Sequence, residues 1–477
     1  MKLSRRDLLK GVAAGAAFGA TGLGLRTARA RLPVNPVSIL LLDFSGGWNV
    51  HATFAARTHP DVNPHGIAPA RGDMGIMKVS PLIYRDRENV VNTDSAAWGM
   101  RVPVFEETAH HFSMIGAMRH AESYVLDDHP PSGIYCATGY LDRLDAPGLG
   151  TVVARYAPKD RLAPPAVCLS NLIPGWVAFE SARASGAWLP HAPVVFSHKA
   201  LPIGGSGGVG FIETETRLDE AAGARRRGLA AQKVEMLRRY KEAFRRHRSF
   251  FLDKAIHTTD PANANERLEE GLLGSGSPTN QQLIDAFGGT FDGDESALAL
   301  AFRCLEGGSR FVAVSCGFSS FPMTAHDTHT NEQNAWKLYV RDAQIFAGVS
   351  FLLEKLGLAK NVLVVGLSEM ARCPYAGGGF NGAGGTDHGR TGIQSPKGLY
   401  GSNRQSVLLA HGPIRPGREA YPAESELGDP AGAPCITAEL LAFIADCAGV
   451  EREDHPWNVS PEGAPLDAEA LARVLIA

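Results

Sequence analysis

The sequence predicts an α/β fold on a mostly parallel sheet, and three observations carry that expectation. Phe311-Val-Ala-Val-Ser-Cys316 and Asn361-Val-Leu-Val-Val-Gly-Leu367 are short, β-branched and without polar alternation, as strands buried on both faces are. A stretch of helical length separates them, as a crossover between parallel neighbours requires. Val37-Ser-Ile-Leu-Leu-Leu-Asp43 is a third such run and ends in a carboxylate. A chain of 477 residues can bury a large core, in one large α/β domain or two smaller ones.

The first thirty residues read as an address. Ser4-Arg-Arg-Asp-Leu-Leu-Lys10 matches the twin-arginine export pattern, residues 11–25 are rich in Gly and Ala, and Ala28-Arg-Ala30 offers small residues for cleavage. Residues 31–477 are then one domain, with insertions expected at about 51–107 and 173–290. The apolar run is too short and too glycine-rich to span a bilayer, and no later segment approaches that length. The expected location is periplasmic or extracellular, with the export machinery as a partner and no stable membrane span. A net charge of −3 gives no general attraction for nucleic acid. Seven dispersed cysteines without a Cys-x-x-Cys pair argue against a thiolate zinc site or a disulfide scaffold.

After Asp43 come Ser45-Gly-Gly-Trp-Asn49 and His51. A carboxylate ending a first parallel strand is placed to bind metal or substrate, and equally to cap a loop. Residues 51–107, rich in Pro, Gly, Asp and Arg, read as an excursion of loops and short helices. Phe112–Gly116 is the next strand. It runs into Asp128-His-Pro-Pro, an order that sets His129 at a helix N-terminus, where backbone amides favour an anion. Ala166–Ser170 is a strand, and residues 173–210 an irregular Pro- and Gly-rich insertion. Residues 217–252 form a strongly basic helix whose interleaved glutamates mark a solvated face. Loops and a short helix fill 253–289, and helices cover 294–306 and 334–358. Gln405–Ala410 is a further strand, and residues 437–447 a closing helix over one side of the sheet.

In parallel sheets the ligand site lies beyond the carboxyl ends of the strands. His326-Asp-Thr-His329 follows the first central strand, and Ser368-Glu369 and Gly385-Thr-Asp-His-Gly389 follow the second. Carboxylates and imidazoles gathered at one edge suit divalent metals. The expected ligands are Asp43, Asp327, His329, Glu369, Asp387 and His388. Arg372 and Arg390 flank these loops and are candidates to clamp a tetrahedral anion.

Ser368-Glu-Met-Ala-Arg372, Gly385–Gly389, His326-Asp-Thr-His-Thr-Asn331, Tyr135-Cys-Ala-Thr-Gly-Tyr140 and the export signal together resemble the domain-of-unknown-function 1501 family, an exported branch of the alkaline phosphatase and sulfatase superfamily. The resemblance covers most of the chain after Pro33. It implies a three-layer α/β/α sandwich, alkaline-phosphatase-like, with two divalent metals, commonly zinc or manganese, at the carboxyl edge. It also implies a small anionic ester as substrate. Where such enzymes carry a Ser or Thr nucleophile, this chain has His129, for which phosphoryl acceptor, metal ligand and general base are all open roles. Ser132 is the fallback nucleophile. A second departure places Ser368-Glu369 where relatives often have Asp-His. The expectation is a metal-dependent hydrolase of phosphate or sulfate esters. The alternative is a non-catalytic secreted binding or assembly protein that keeps the fold. Redox chemistry is disfavoured, since no Gly-x-Gly-x-x-Gly follows a strand.

Overall fold

Strand β1 (Ser38–Asp43) lies in the interior of the main sheet because its apolar run can be buried on both faces. In this computed structural model the described residues are 35–44, 46–59, 63, 65–119, 129–140, 146–159, 161–170, 186–197, 246–247, 250, 278–288, 294–316, 326, 336–369, 372–374, 386–388, 404–423, 432–457, 466 and 468–476. The chain divides into two units, Met1–Asn35 and Pro36–Ala477, and the fold below is that of the second.

A small ribbon pairs β2 (Asp94–Ser95) with β3 (Met100–Arg101). The main sheet continues with β4 (Phe112–Arg119), β5 (Ala166–Ser170), β6 (Val194–Ser197), β7 (Phe311–Ser315) and β8 (Val362–Leu367). A second ribbon pairs β9 (Arg372–Pro374) with β10 (Thr386–His388). Then come β11 (Arg404–Ala410), β12 (Glu419–Ala420) and β13 (Cys435–Ile436). The nine-stranded main sheet has the order β12-β4-β11-β8-β1-β7-β5-β6, with β13 also on β4. Strand β11 runs antiparallel to both β8 and β4, while the other recorded pairs in this sheet are parallel.

Numbering the described α-helices of six residues or more, α1 is His129–Thr138, α2 Leu149–Arg155, α3 Asn280–Asp285 and α4 Asp294–Glu306. Helix α5 is Trp336–Lys355, α6 Thr437–Cys447 and α7 Ala468–Leu475. Leu40, Leu42, Val312 and Val314 face one core together with Leu298, Phe302, Phe346 and Leu352 of α4 and α5. The alternate residues Ile39, Leu41 and Ala313 are equally buried but lie outside that cluster, as the two-residue period of a strand dictates. On their side α2 packs against β5 and β7, and α6 packs against α1 and α2. Three layers result: helices, sheet, helices.

Local chemistry sets the ends. The Thr279 hydroxyl accepts from the Gln282 amide at 3.1 Å and the Gln282 side chain from the Thr279 amide at 2.8 Å, a reciprocal cap that starts α3. Gly357, at φ +67°, follows the end of α5.

Residues 51–107 run as loops, short helices and a two-stranded ribbon, and Phe54, Met77, Ile83, Val102 and Phe105 are buried in the main core, because apolar residues spaced irregularly among Pro and Gly still pack when the sheet supplies a face. One expectation needs correction. The insertion at 173–290 contains a sheet strand, since Val194–Ser197 forms β6 beside β5. Most of the expected basic helix at 217–252 lies outside the described residues.

Candidate functional site

The loop leaving β1 crosses the carboxyl edge of the sheet, and that crossing builds the site. Asp43 ends β1 in register with Ser315 of β7 and Leu367 of β8. Its carboxylate is fully buried and accepts from the Ser315 hydroxyl at 3.5 Å. Gly46 and Gly47 follow at φ +108° and +87°, a left-handed pair that L side chains disfavour. This turn aims three backbone amides at the end of β8. The Gly46 N–H donates to Glu369 Oε1 at 2.7 Å, and the Gly47 and Trp48 N–H groups donate to Ser368 Oγ at 3.2 and 3.0 Å. Ser368 Oγ lies 2.8 Å from the Phe44 carbonyl oxygen and 2.9 Å from Glu369 Oε2, both acceptors for its hydroxyl.

Two further elements reach this point. Because β11 is reversed, its start lies at the carboxyl edge, where the Gln405 amide brackets the Ser368 peptide. Ser368 N–H donates to Gln405 Oε1 at 3.2 Å, and Gln405 Nε2 donates to the Ser368 carbonyl at 2.7 Å. Helix α1 begins at His129, as the sequence predicts. Its Cys136 thiol donates to the Glu369 carbonyl at 3.3 Å. Burial first, and the charges of Glu369 and Asp43 second, push this thiol well above the usual range. The same burial packs Cys136 between α1 and the end of β8.

Two buried histidines flank the crossing. His51 Nε2 lies 3.3 Å from Ser406 Oγ, and that hydroxyl donates to the Gly116 carbonyl at 2.8 Å. With its proton so committed, Ser406 accepts from His51, which fixes the Nε2–H tautomer. Burial, then the Arg57 charge, hold His51 well below the ordinary imidazole range and keep it neutral. His326 Nε2 sits 2.8 Å from Asp342 Oδ2 with both side chains fully buried, and the Phe44 ring meets the imidazole edge-on at 5.5 Å. Burial lifts the Asp342 carboxyl above its usual range, and His326 pulls against that shift.

Of the residues expected from the sequence, Asp43 and Glu369 are buried at the ends of adjacent parallel strands. Ser132 is buried on α1. For Arg372, Asp387 and His388 the backbone is described: Arg372 opposes His388 across the β9–β10 ribbon, which opens three residues after Glu369. Asp327, His329 and Arg390 lie outside the described residues. Sequence reasoning missed Gln405, Ser315 and Cys136 as parts of the site; only the reversal of β11 marks Gln405, and no local pattern shows it.

Asp43 and Glu369 supply hard oxygens suited to a divalent cation. Among the described residues no group of three or more His, Cys, Asp or Glu side chains forms a metal site.

A family model described as a protein of unknown function, DUF1501, matches residues 39–395. The chain belongs to this family. Curated proteins gave no match. Among solved structures, this DUF1501 chain is similar to the PsFucS1 sulfatase from Pseudoalteromonas sp., at 14% identity and TM-score 0.36, over 95% of this chain and 74% of that one. It is similar to the alkaline phosphatase from the Antarctic bacterium TAB5 at 12% identity and TM-score 0.38, over 88% of this chain and 100% of that one. It is also similar to the lipoteichoic acid synthase LtaP from Listeria monocytogenes at 7% identity and TM-score 0.34, over 90% and 78% of the two chains. Among the described residues, no helix is long and apolar enough to cross a membrane.

Proposed function

We propose that this DUF1501 protein is an exported, metal-dependent hydrolase of phosphate or sulfate esters. One observation carries the reading: two buried carboxylates, Asp43 and Glu369, stand at the carboxyl ends of neighbouring parallel strands, and helix α1, which starts at His129, packs its Cys136 against the Glu369 carbonyl. Asp43, Glu369, Asp387, His388, Asp327 and His329 are the residues that would hold zinc or manganese. Such an ion, when bound, polarises an ester oxygen and lowers the pKa of water. The chain's own groups do the rest. The start of α1 presents backbone amides to an anion, with His129 as the residue facing substrate, and Arg372 and Arg390 are assigned to its non-bridging oxygens.

Purified protein is expected to retain divalent metal and to turn over aryl phosphates or aryl sulfates, with activity lost in both His129→Ala and Asp387→Ala. Retained metal without turnover of either ester class would favour a secreted binding protein, a reading that the imidazole in the nucleophile's place keeps open. Export is assigned to the twin-arginine segment Ser4–Lys10. Replacing Arg5 and Arg6 with lysine should leave the protein in the cytoplasm.

A further inference from the structure

The β11–β8 ladder ends before the site does. Its last recorded pair is Leu408 with Gly366, and a bulge between Gln405 and Val407 interrupts the run of β11 along β4. Ser368, two residues past Gly366, would there lack main-chain partners on that side. Instead the Gln405 amide bonds both its N–H and its C=O, at 3.2 and 2.7 Å. Gln405 is fully buried, and so is Ser368. A buried amide with donor and acceptor both used in this way acts as a missing rung of the ladder.

What that rung holds is the site. The Ser368 hydroxyl joins the Phe44 carbonyl, the Glu369 carboxylate and the Gly47 and Trp48 amides, and Glu369 takes the Gly46 amide. We infer that Gln405 is a positioning residue: through the Ser368 peptide it fixes the Glu369 carboxylate and the Gly46–Trp48 loop relative to Asp43. The metal-affinity part of this inference rests on the hydrolase reading above. Its structural part does not.

Two variants and two readouts test it. Gln405→Leu removes both bonds at similar volume. Amide hydrogen exchange over Gly46–Trp48 is expected to quicken at least about tenfold, while exchange in β5, four strands away, stays as in the wild type. Zinc or manganese affinity by titration calorimetry should fall about 10- to 100-fold, the usual cost of losing a group that orients a ligand. Gln405→Glu is the rescue. A buried carboxyl in its protonated form reproduces the amide's one acceptor and one donor, whereas the ionised form sets a carboxylate against the Ser368 carbonyl. Loop protection relative to wild type should therefore recover as pH is lowered, in this variant alone.

If Gln405→Leu folds and leaves both loop exchange and metal affinity within about twofold of wild type, the inference is overturned. Should Gln405→Leu fail to fold, Gln405→Glu decides by itself, and protection that does not respond to pH overturns it too. Wild-type protein that takes up no metal would sink the hydrolase reading and leave the exchange experiment to judge Gln405.

Discussion

Protonation of His411 should make this protein acid-labile, and the size of the effect follows from one corner of the fold. His411 follows β11 at φ +61°, with Nε2 3.0 Å from the Ser350 hydroxyl of α5. Its ring stacks on His111 at 5.2 Å, and His111 in turn lies 4.0 Å from His110, while His111 Nε2 meets Glu354 Oε1 at 3.2 Å. Burial, and then the His111 charge, lower His411 from the ordinary 6.5 to about 4. Between those values the unfolded chain binds the proton and the folded chain does not, so stability rises with pH across the window and is lost as pH falls through it. At 1.36 kcal/mol per unit, the shift is worth up to about 3 kcal/mol, present in full above pH 6.5. His411→Asn suits the left-handed backbone and removes the titration. Urea midpoints near pH 4.5, 5.5 and 7 should fall steeply with acid in the wild type and more gently in the variant. A residual slope is expected from His111, which burial and then His110 lower, and from His51, which burial and then Arg57 lower. Equal slopes in the two proteins would refute the reasoning.

Removing the carboxylate from the His326–Asp342 pair in Asp342→Ala should cost about 3–5 kcal/mol, and Asp342→Asn, which keeps an acceptor, about 1 kcal/mol. With an unfolding entropy of about 2.1 cal/mol/K per residue over about 440 residues, Ala lowers Tm by about 4 °C; calorimetry showing the two variants alike would count against a hydrogen-bonded pair. Asp43→Asn preserves shape and should weaken zinc or manganese binding at least about tenfold with little change in Tm, as titration calorimetry would show; unchanged affinity would remove Asp43 from the ligand set. Cys136 should resist alkylation in native protein near pH 8 and react only after denaturation, because burial and two carboxylates disfavour its thiolate. Peptide mapping that finds rapid native labelling would contradict the packing described.

Pattern alone carried much of the fold. The strands at Ser38–Asp43, Ala166–Ser170, Phe311–Ser315 and Val362–Leu367, and the helices at Asp294–Glu306 and Thr437–Cys447, stand where unbroken apolar runs and helical periodicity put them, since burial on both faces of a sheet leaves a local signature. The start of α1 at His129 was legible for a similar reason, as two prolines mark a first helical turn. Strand β6 hid within Pro- and Gly-rich surroundings. The two- and three-residue strands are too short to show any period.

By itself, then, the sequence determined which segments become strands and helices, that Asp43 and Glu369 end two of those strands, and which family the chain resembles. Only the tertiary structure decided that β11 runs backwards, that Gln405 therefore meets Ser368, and that the Gly46–Trp48 amides close on Glu369. Strand direction and partner choice depend on contacts between residues from 37 to 323 positions apart in these cases, which no local window records.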